Sequence, residues 1–178
     1  MKSKIIALSA ISAGFVAILL TLGSYVTFVD IVCTVVSSIF VLMPLYFRSY
    51  KGSFLCFLAG GAVALLICLP TLLLSFVMPA YFAFFGIFPI IKMLAIDKGF
   101  NKKLFFVIGL VWCVVLFYGL FFYYTGVMGF NISGLPTFVA DYILIFLAPI
   151  GAIFFVIYDR FVLVSKIMVD RYLSRIIK

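Results

Sequence analysis

Lys102 to Thr125 read KKLFFVIGLVWCVVLFYGLFFYYT: two lysines, then an uncharged run from Leu104 onward rich in Phe, Leu and Val. About 20 apolar residues of helix cross a hydrocarbon core of ~30 Å, so this stretch alone is long enough to span a bilayer. Its apolar residues are continuous and do not alternate over ten-residue segments, which argues against a transmembrane β-barrel. The remainder of the chain repeats the pattern. Its 178 residues are 68% hydrophobic and only 10% charged, against roughly a quarter charged in a soluble domain. With a mean hydropathy of +1.43, the surface has too few polar groups to be solvated by water, so lipid must be the solvent.

Outward from that run, the expected spans are about 5–22, 26–47, 53–69, 72–96, 104–125 and 138–158. Gly23-Ser24 closes the first and Pro70 the third; Pro79 and Pro89 are expected to kink or break the fourth, because proline removes a backbone donor and clashes with the preceding turn. The 53–96 stretch has a second reading, one span plus a re-entrant segment. A turn-rich connection, Gly126 to Pro136, precedes the last span, whose periodicity continues into a basic amphipathic tail, 159–178. The fold expected is thus all-α: one polytopic six-helix membrane domain. The apolar stretch Ile5 to Leu22 exceeds a signal-peptide h-region and reads as an uncleaved signal anchor.

The basic residues support the count independently. Lys2 and Lys4 precede span one, Arg48 and Lys51 lie between spans two and three, Lys92, Lys98, Lys102 and Lys103 cluster between four and five, and Arg160, Lys166, Arg171, Arg175 and Lys178 follow six. With six spans all 13 fall on one side, which the positive-inside rule places in the cytoplasm together with both termini. The net charge of +8 is therefore a topology signal, and the scattered charges give no nucleic-acid recognition module. The location expected is the bacterial cytoplasmic membrane. In the tail, Phe161, Val164, Ile167, Met168 and Leu173 suggest an apolar face beside bases suited to anionic headgroups or an acidic partner.

Few residues carry chemistry. The chain has no histidine and no G-x-x-x-x-G-K-[ST] phosphate loop, and Cys33, Cys56, Cys68 and Cys113 sit singly in apolar runs. Neither an enzyme, a metal site nor a cofactor is expected. Asp30 and Asp141 lie near the outer ends of their helices. They read either as headgroup-level charges that suit a helix N-terminus or as ligands in an outward pocket. Tyr81, Tyr123 and Tyr142, with Tyr25, Tyr124 and Trp112, would line the same region, or form an interfacial aromatic belt. Asp159-Arg160 and Asp170-Arg171 read as solvated pairs. Small residues mark span one: Ala10-x-x-x-Gly14 and Ala13-x-x-x-Ala17 let helix backbones approach closely, within the chain or between subunits. Gly60-Gly61 in span three reads likewise.

The opening Lys2-Ser3-Lys4-Ile5-Ile6-Ala7-Leu8-Ser9-Ala10-Ile11-Ser12-Ala13 resembles the start of S components of energy-coupling factor (ECF) transporters, and Arg48-Ser49-Tyr50-Lys51-Gly52-Ser53, leading into the Gly-rich third span, looks like the basic turn in that fold. The stretch Phe84 to Lys92, with Ile157-Tyr158-Asp159 and Tyr172-Leu173-Ser174-Arg175, also resembles a group of uncharacterised Firmicutes membrane proteins of this shape. The first resemblance implies a six-helix subunit that binds a small molecule from outside. Ala10, Ala13, Gly14 and Ala17 would dock on a transmembrane coupling subunit, and separate ATPases would supply energy. The lack of histidine departs from the nickel and cobalt subgroup. A different class stays open: a membrane scaffold resembling MreD-type envelope proteins, holding protein partners through its basic tail and loops.

Overall fold

The computed structural model describes residues 2–26, 28–69, 75–126, 129 and 137–176, except the side chains of residues 2, 137–141 and 176. Among them the chain is all-helical: α1 (Lys2–Tyr25), α2 (Asp30–Leu42) running on as a 3-10 turn (Met43–Phe47), α3 (Tyr50–Ile67), α4 (Val77–Ala80), a π-helical turn (Tyr81–Phe85), α5 (Phe88–Asp97), α6 (Lys102–Gly126) and α7 (Thr137–Ile176). These make six segments long and apolar enough to cross a membrane, the fourth being the composite Val77–Asp97. Pro89 falls at the start of α5, just past the π turn, whereas Pro79 sits in the first turn of α4, where its missing donor costs no helical bond; the apolar segment continues past both.

The first three helices pack through small residues. Gly52, Cys56, Gly60 and Ala64 recur every fourth position of α3 and are all buried. A Cβ at Gly60 would stand 2.7 Å from Val16 Cγ1 and 2.9 Å from the Ala13 carbonyl, so only glycine admits α1 this closely. Between apolar surfaces in lipid there is little hydrophobic gain, and such close packing is what holds helices together. The turn from α2 to α3 is fixed locally: Arg48 adopts a left-handed conformation (φ 52°) and donates to Leu45 O at 2.9 Å. Ser49 then caps α3, its Oγ accepting from Gly52 N at 3.1 Å.

The second half is built on aromatic rings. Phe84 and Phe88 stack at 4.8 Å, and Phe155 and Tyr158 from α7 pack on both. Trp112 of α6 meets Phe84 edge-on at 5.6 Å. At Gly109 a Cβ would lie 2.6 Å from Phe155 Cζ, so this glycine lets α6 close on α7.

Helix α7 is the outlier in length. Its 40 residues at 1.5 Å each reach about 60 Å, twice a hydrocarbon core. Of the residues expected to form a tail, 159–176 are the unbroken continuation of this helix. Tyr158, Val162, Ser165, Val169 and Leu173 are buried along one face, whereas Val164, Ile167, Met168 and Tyr172 are exposed. The apolar face expected for the tail thus divides in two, with Leu173 packed inward and Val164, Ile167 and Met168 facing out.

Candidate binding site

Contacts gather the positive charge at one end of the bundle. Ser9 of α1 approaches Gly52 of α3, and Lys166 and Asp170 of α7 share a cavity of about 290 Å³ with Arg48, Tyr50 and Asp97. Here three of the five acidic residues are engaged: Asp97 accepts from the Tyr50 hydroxyl, Asp170 pairs with Lys166, and Asp159 pairs with Lys92. The two expected Asp-Arg neighbour pairs are replaced by these partners. Consecutive residues on a helix point about 100° apart and do not face each other, whereas i and i+4 do, as Lys166 and Asp170 illustrate.

The Lys92–Asp159 pair is the one inside the protein. Lys92 is 4% exposed and Asp159 9%, and Nζ donates to Asp159 Oδ1 at 2.5 Å and to Asp159 O at 2.6 Å. Lys92 lies on α5 one turn beyond Pro89; Asp159 follows Tyr158 on the aromatic face of α7. Burying two charges costs several kcal/mol each unless they are paired with good geometry, so an ionisable pair inside a spanning segment marks a candidate functional site.

Seven residues before Lys92, about 10 Å deeper along the helix axis, is a second polar node. The Phe85 carbonyl would normally accept from the amide four residues on, but residue 89 is proline. Two hydroxyls replace the missing donor: Ser38 Oγ lies 2.9 Å and Tyr158 OH 3.1 Å from Phe85 O, and 2.8 Å from each other. All three residues are buried. Proline chemistry in span four therefore dictates a cross-link between α2, the π turn and α7.

The ion pair opens into a cavity of about 620 Å³ between α5, α6 and α7. Lys92, Lys102, Lys103 and Arg160 line it against the single carboxylate of Asp159, and Phe105, Phe106 and Leu163 supply apolar wall. Lys102, Lys103 and Arg160 have no carboxylate partner among the described residues. Lys103 N donates to Asn101 Oδ1 at 3.0 Å, so Asn101 caps α6 and its positive helix end adds to the field. A site of this volume falls in the range of roughly 300–1,000 Å³ used for small molecules. It suits binding of an anion. Among the described residues no three His, Cys, Asp or Glu side chains converge as a metal would require.

The residues singled out from the sequence lie elsewhere. Asp30 stands at the opposite end, half-buried at the start of α2, its Oδ1 accepting from Ile31 N at 2.6 Å. Tyr123 is half-buried near the end of α6 and Tyr142 is exposed on α7. Tyr81 is fully buried in the core, its hydroxyl donating to Phe57 O at 3.2 Å, because the π turn aims it at α3. Neither cavity described above is lined by any of these four residues. The side chain of Asp141 lies outside the described residues. The small-residue stripe divides: Ala17 is buried and Ala13 packs on the core, while Ala10 and Gly14 are exposed, with open space around Gly14.

Lys92 and Asp159 are not legible as a pair in the sequence because they are 67 positions apart and Asp159 sits beside Arg160. One signal was present: Lys92 falls within the apolar periodicity of span four, where an ionisable group is costly and commonly functional. Comparison with known proteins adds no family: no protein-family model matches the chain, and no curated protein or solved structure is significantly similar to it.

Proposed function

We propose that this protein is a non-enzymatic, multi-pass membrane subunit that binds a small anionic molecule in the α5–α6–α7 cavity and works within a larger assembly, as a transport subunit resembling an ECF S component would. One observation carries the reading: a buried Lys92–Asp159 pair opens into a cavity whose other cations are uncompensated. In a bundle needing only to span lipid, apolar residues at those two positions would be neutral or stabilising. The one-sided charge supports an orientation with this end in the cytoplasm. Compared with the expectation of an outward pocket at Asp30 and Asp141, the ligand site moves to the opposite end. The exposed edge Ala10 and Gly14 supports docking of a helix from another subunit, since Gly14 has nothing within 4 Å of where its Cβ would be.

Isolation of the native assembly in mild detergent tests this. A transmembrane partner and ATPases should co-purify, and Gly14→Leu should release them without lowering the thermal midpoint. Recovery of the chain alone, with Gly14→Leu behaving as wild type, would refute the assembly.

The exposed stripe Val164, Ile167, Met168 and Tyr172, beside Arg171 and Arg175 on the overhanging part of α7, favours a second reading. On that reading the chain is a scaffold that holds a protein partner at the inner leaflet. Ile167→Ser with Met168→Ser would then abolish partner capture, while Lys102→Gln with Lys103→Gln would leave it intact.

A further inference from the structure

The mouth of the large cavity decides what kind of anion can enter. Of its lining residues, Ile96 is 41% exposed, Phe100 47% and Val107 55%, all apolar and on the outer surface where α5 meets α6. The opening thus faces sideways, toward the surface that lipid would cover, as well as toward the charged end. Deeper in, Lys92 uses two of its three N–H donors on Asp159, which leaves the third without a partner among the described residues. Lys102, Lys103 and Arg160 are exposed at the rim. Four like charges around one space repel one another, and a single carboxylate offsets only part of that repulsion. An anion with an apolar tail would relieve it while covering the apolar wall.

We propose that this cavity holds the phosphate headgroup of an acidic phospholipid drawn from the leaflet at the basic end. This deepens the reading of the cavity as an anion site and rests on it. Lys92 contributes its third N–H at the base, and Lys102, Lys103 and Arg160 close around the phosphate. The first methylenes of the acyl chains leave between Ile96, Phe100 and Val107. Asp159 is a positioning residue, holding Lys92 extended toward the cavity. Basic clefts between membrane helices at the cytoplasmic face are a known means of holding anionic headgroups.

The full chain, delipidated in non-ionic detergent, should be titrated with dioleoylphosphatidylglycerol, dioleoylphosphatidylcholine or inorganic phosphate, and bound lipid counted by native mass spectrometry. Phosphatidylglycerol should be retained in preference to phosphatidylcholine. Each cation near a headgroup contributes about fivefold in affinity, so Lys102→Gln with Lys103→Gln should weaken retention about thirtyfold. Both residues are exposed, so the fold is not at risk. Lys4→Gln with Lys51→Gln removes two exposed cations outside the cavity and should change nothing. Equal retention of phosphatidylcholine, or equal weakening by the control pair, would overturn the proposal. If instead inorganic phosphate binds and depends on Lys102 and Lys103, the lipid assignment falls and the small-anion reading survives. If none of the three binds, both fall.

Discussion

The Lys92–Asp159 pair makes a quantitative prediction. Its side chains are 5% and 12% exposed, so each charge is largely withdrawn from water and reaches it only through the cavity when its partner is removed. Lys92→Met keeps the unbranched stem and leaves Asp159 as an uncompensated buried charge. Asp159→Leu does the converse to Lys92. Breaking a buried pair from one side costs about 3–5 kcal/mol, more than a hundredfold in the folding equilibrium, whereas replacing both by apolar residues is about neutral or stabilising by up to about 4 kcal/mol. The main-chain oxygen of Asp159 stays within helix α7 in every variant, so side-chain charge is what the comparison isolates. The double variant should therefore recover most or all of either single loss, a coupling of about 3 kcal/mol or more. Trp112, the sole tryptophan, meets Phe84 edge-on, and its emission follows the packing of the π turn on α6 through denaturation in mixed micelles. Two single variants within about 0.5 kcal/mol of wild type, the range of ordinary surface substitutions, would show the pair to be solvated and remove the physical basis of the site.

Three further outcomes follow from the packing. Tyr158→Phe removes one of two donors to the Phe85 carbonyl and should cost about 1 kcal/mol; adding Ser38→Ala should cost more than the two singles together, because the buried carbonyl is then orphaned. Pro89→Ala returns the amide that the helix lacks, so the Tyr158→Phe penalty measured by the same denaturation should shrink in that background. Gly60→Ala forces its Cβ against Val16 and the Ala13 carbonyl and should lower stability by about 1–3 kcal/mol, while Gly14→Ala, in open space, should not destabilise the fold in thermal melts.

Much of the fold could be read from residue order, because one-dimensional signals determine it. The uncharged run after Lys102 and Lys103 marks α6 to within two residues at its start, and the prolines mark the interrupted fourth span. Small residues at α3 positions 52, 56, 60 and 64 mark the face that meets α1 only once the helix is known to bury it. The stripe on α1 illustrates the difference. Ala13 and Ala17 turn inward and Ala10 and Gly14 outward, a division that depends on helix rotation and not on spacing. The site was harder still. Asp159 beside Arg160 looks like a surface pair in sequence, yet helical geometry sends the two side chains in different directions, one to the buried Lys92 and one to the rim. Likewise Tyr81 reads as a belt residue until the π turn rotates it onto Phe57. The ion pair and the Ser38–Tyr158–Phe85 node join residues 67, 120, 47 and 73 positions apart, and nothing local in the chain announces such partners.

The account rests most heavily on six crossings with the charged end, and hence the cavity, inside the cell. Thiol labelling measures this directly, because Cys33, Cys56, Cys68 and Cys113 are all buried and leave a silent background. Phe28→Cys, at the α1–α2 turn and 96% exposed, should react with a membrane-impermeant maleimide on intact cells. Asn101→Cys and Ser174→Cys, both exposed at the basic end, should react only after permeabilisation. Labelling of Ser174→Cys on intact cells, with Asn101→Cys protected, would mean an odd number of crossings between them and would contradict the account.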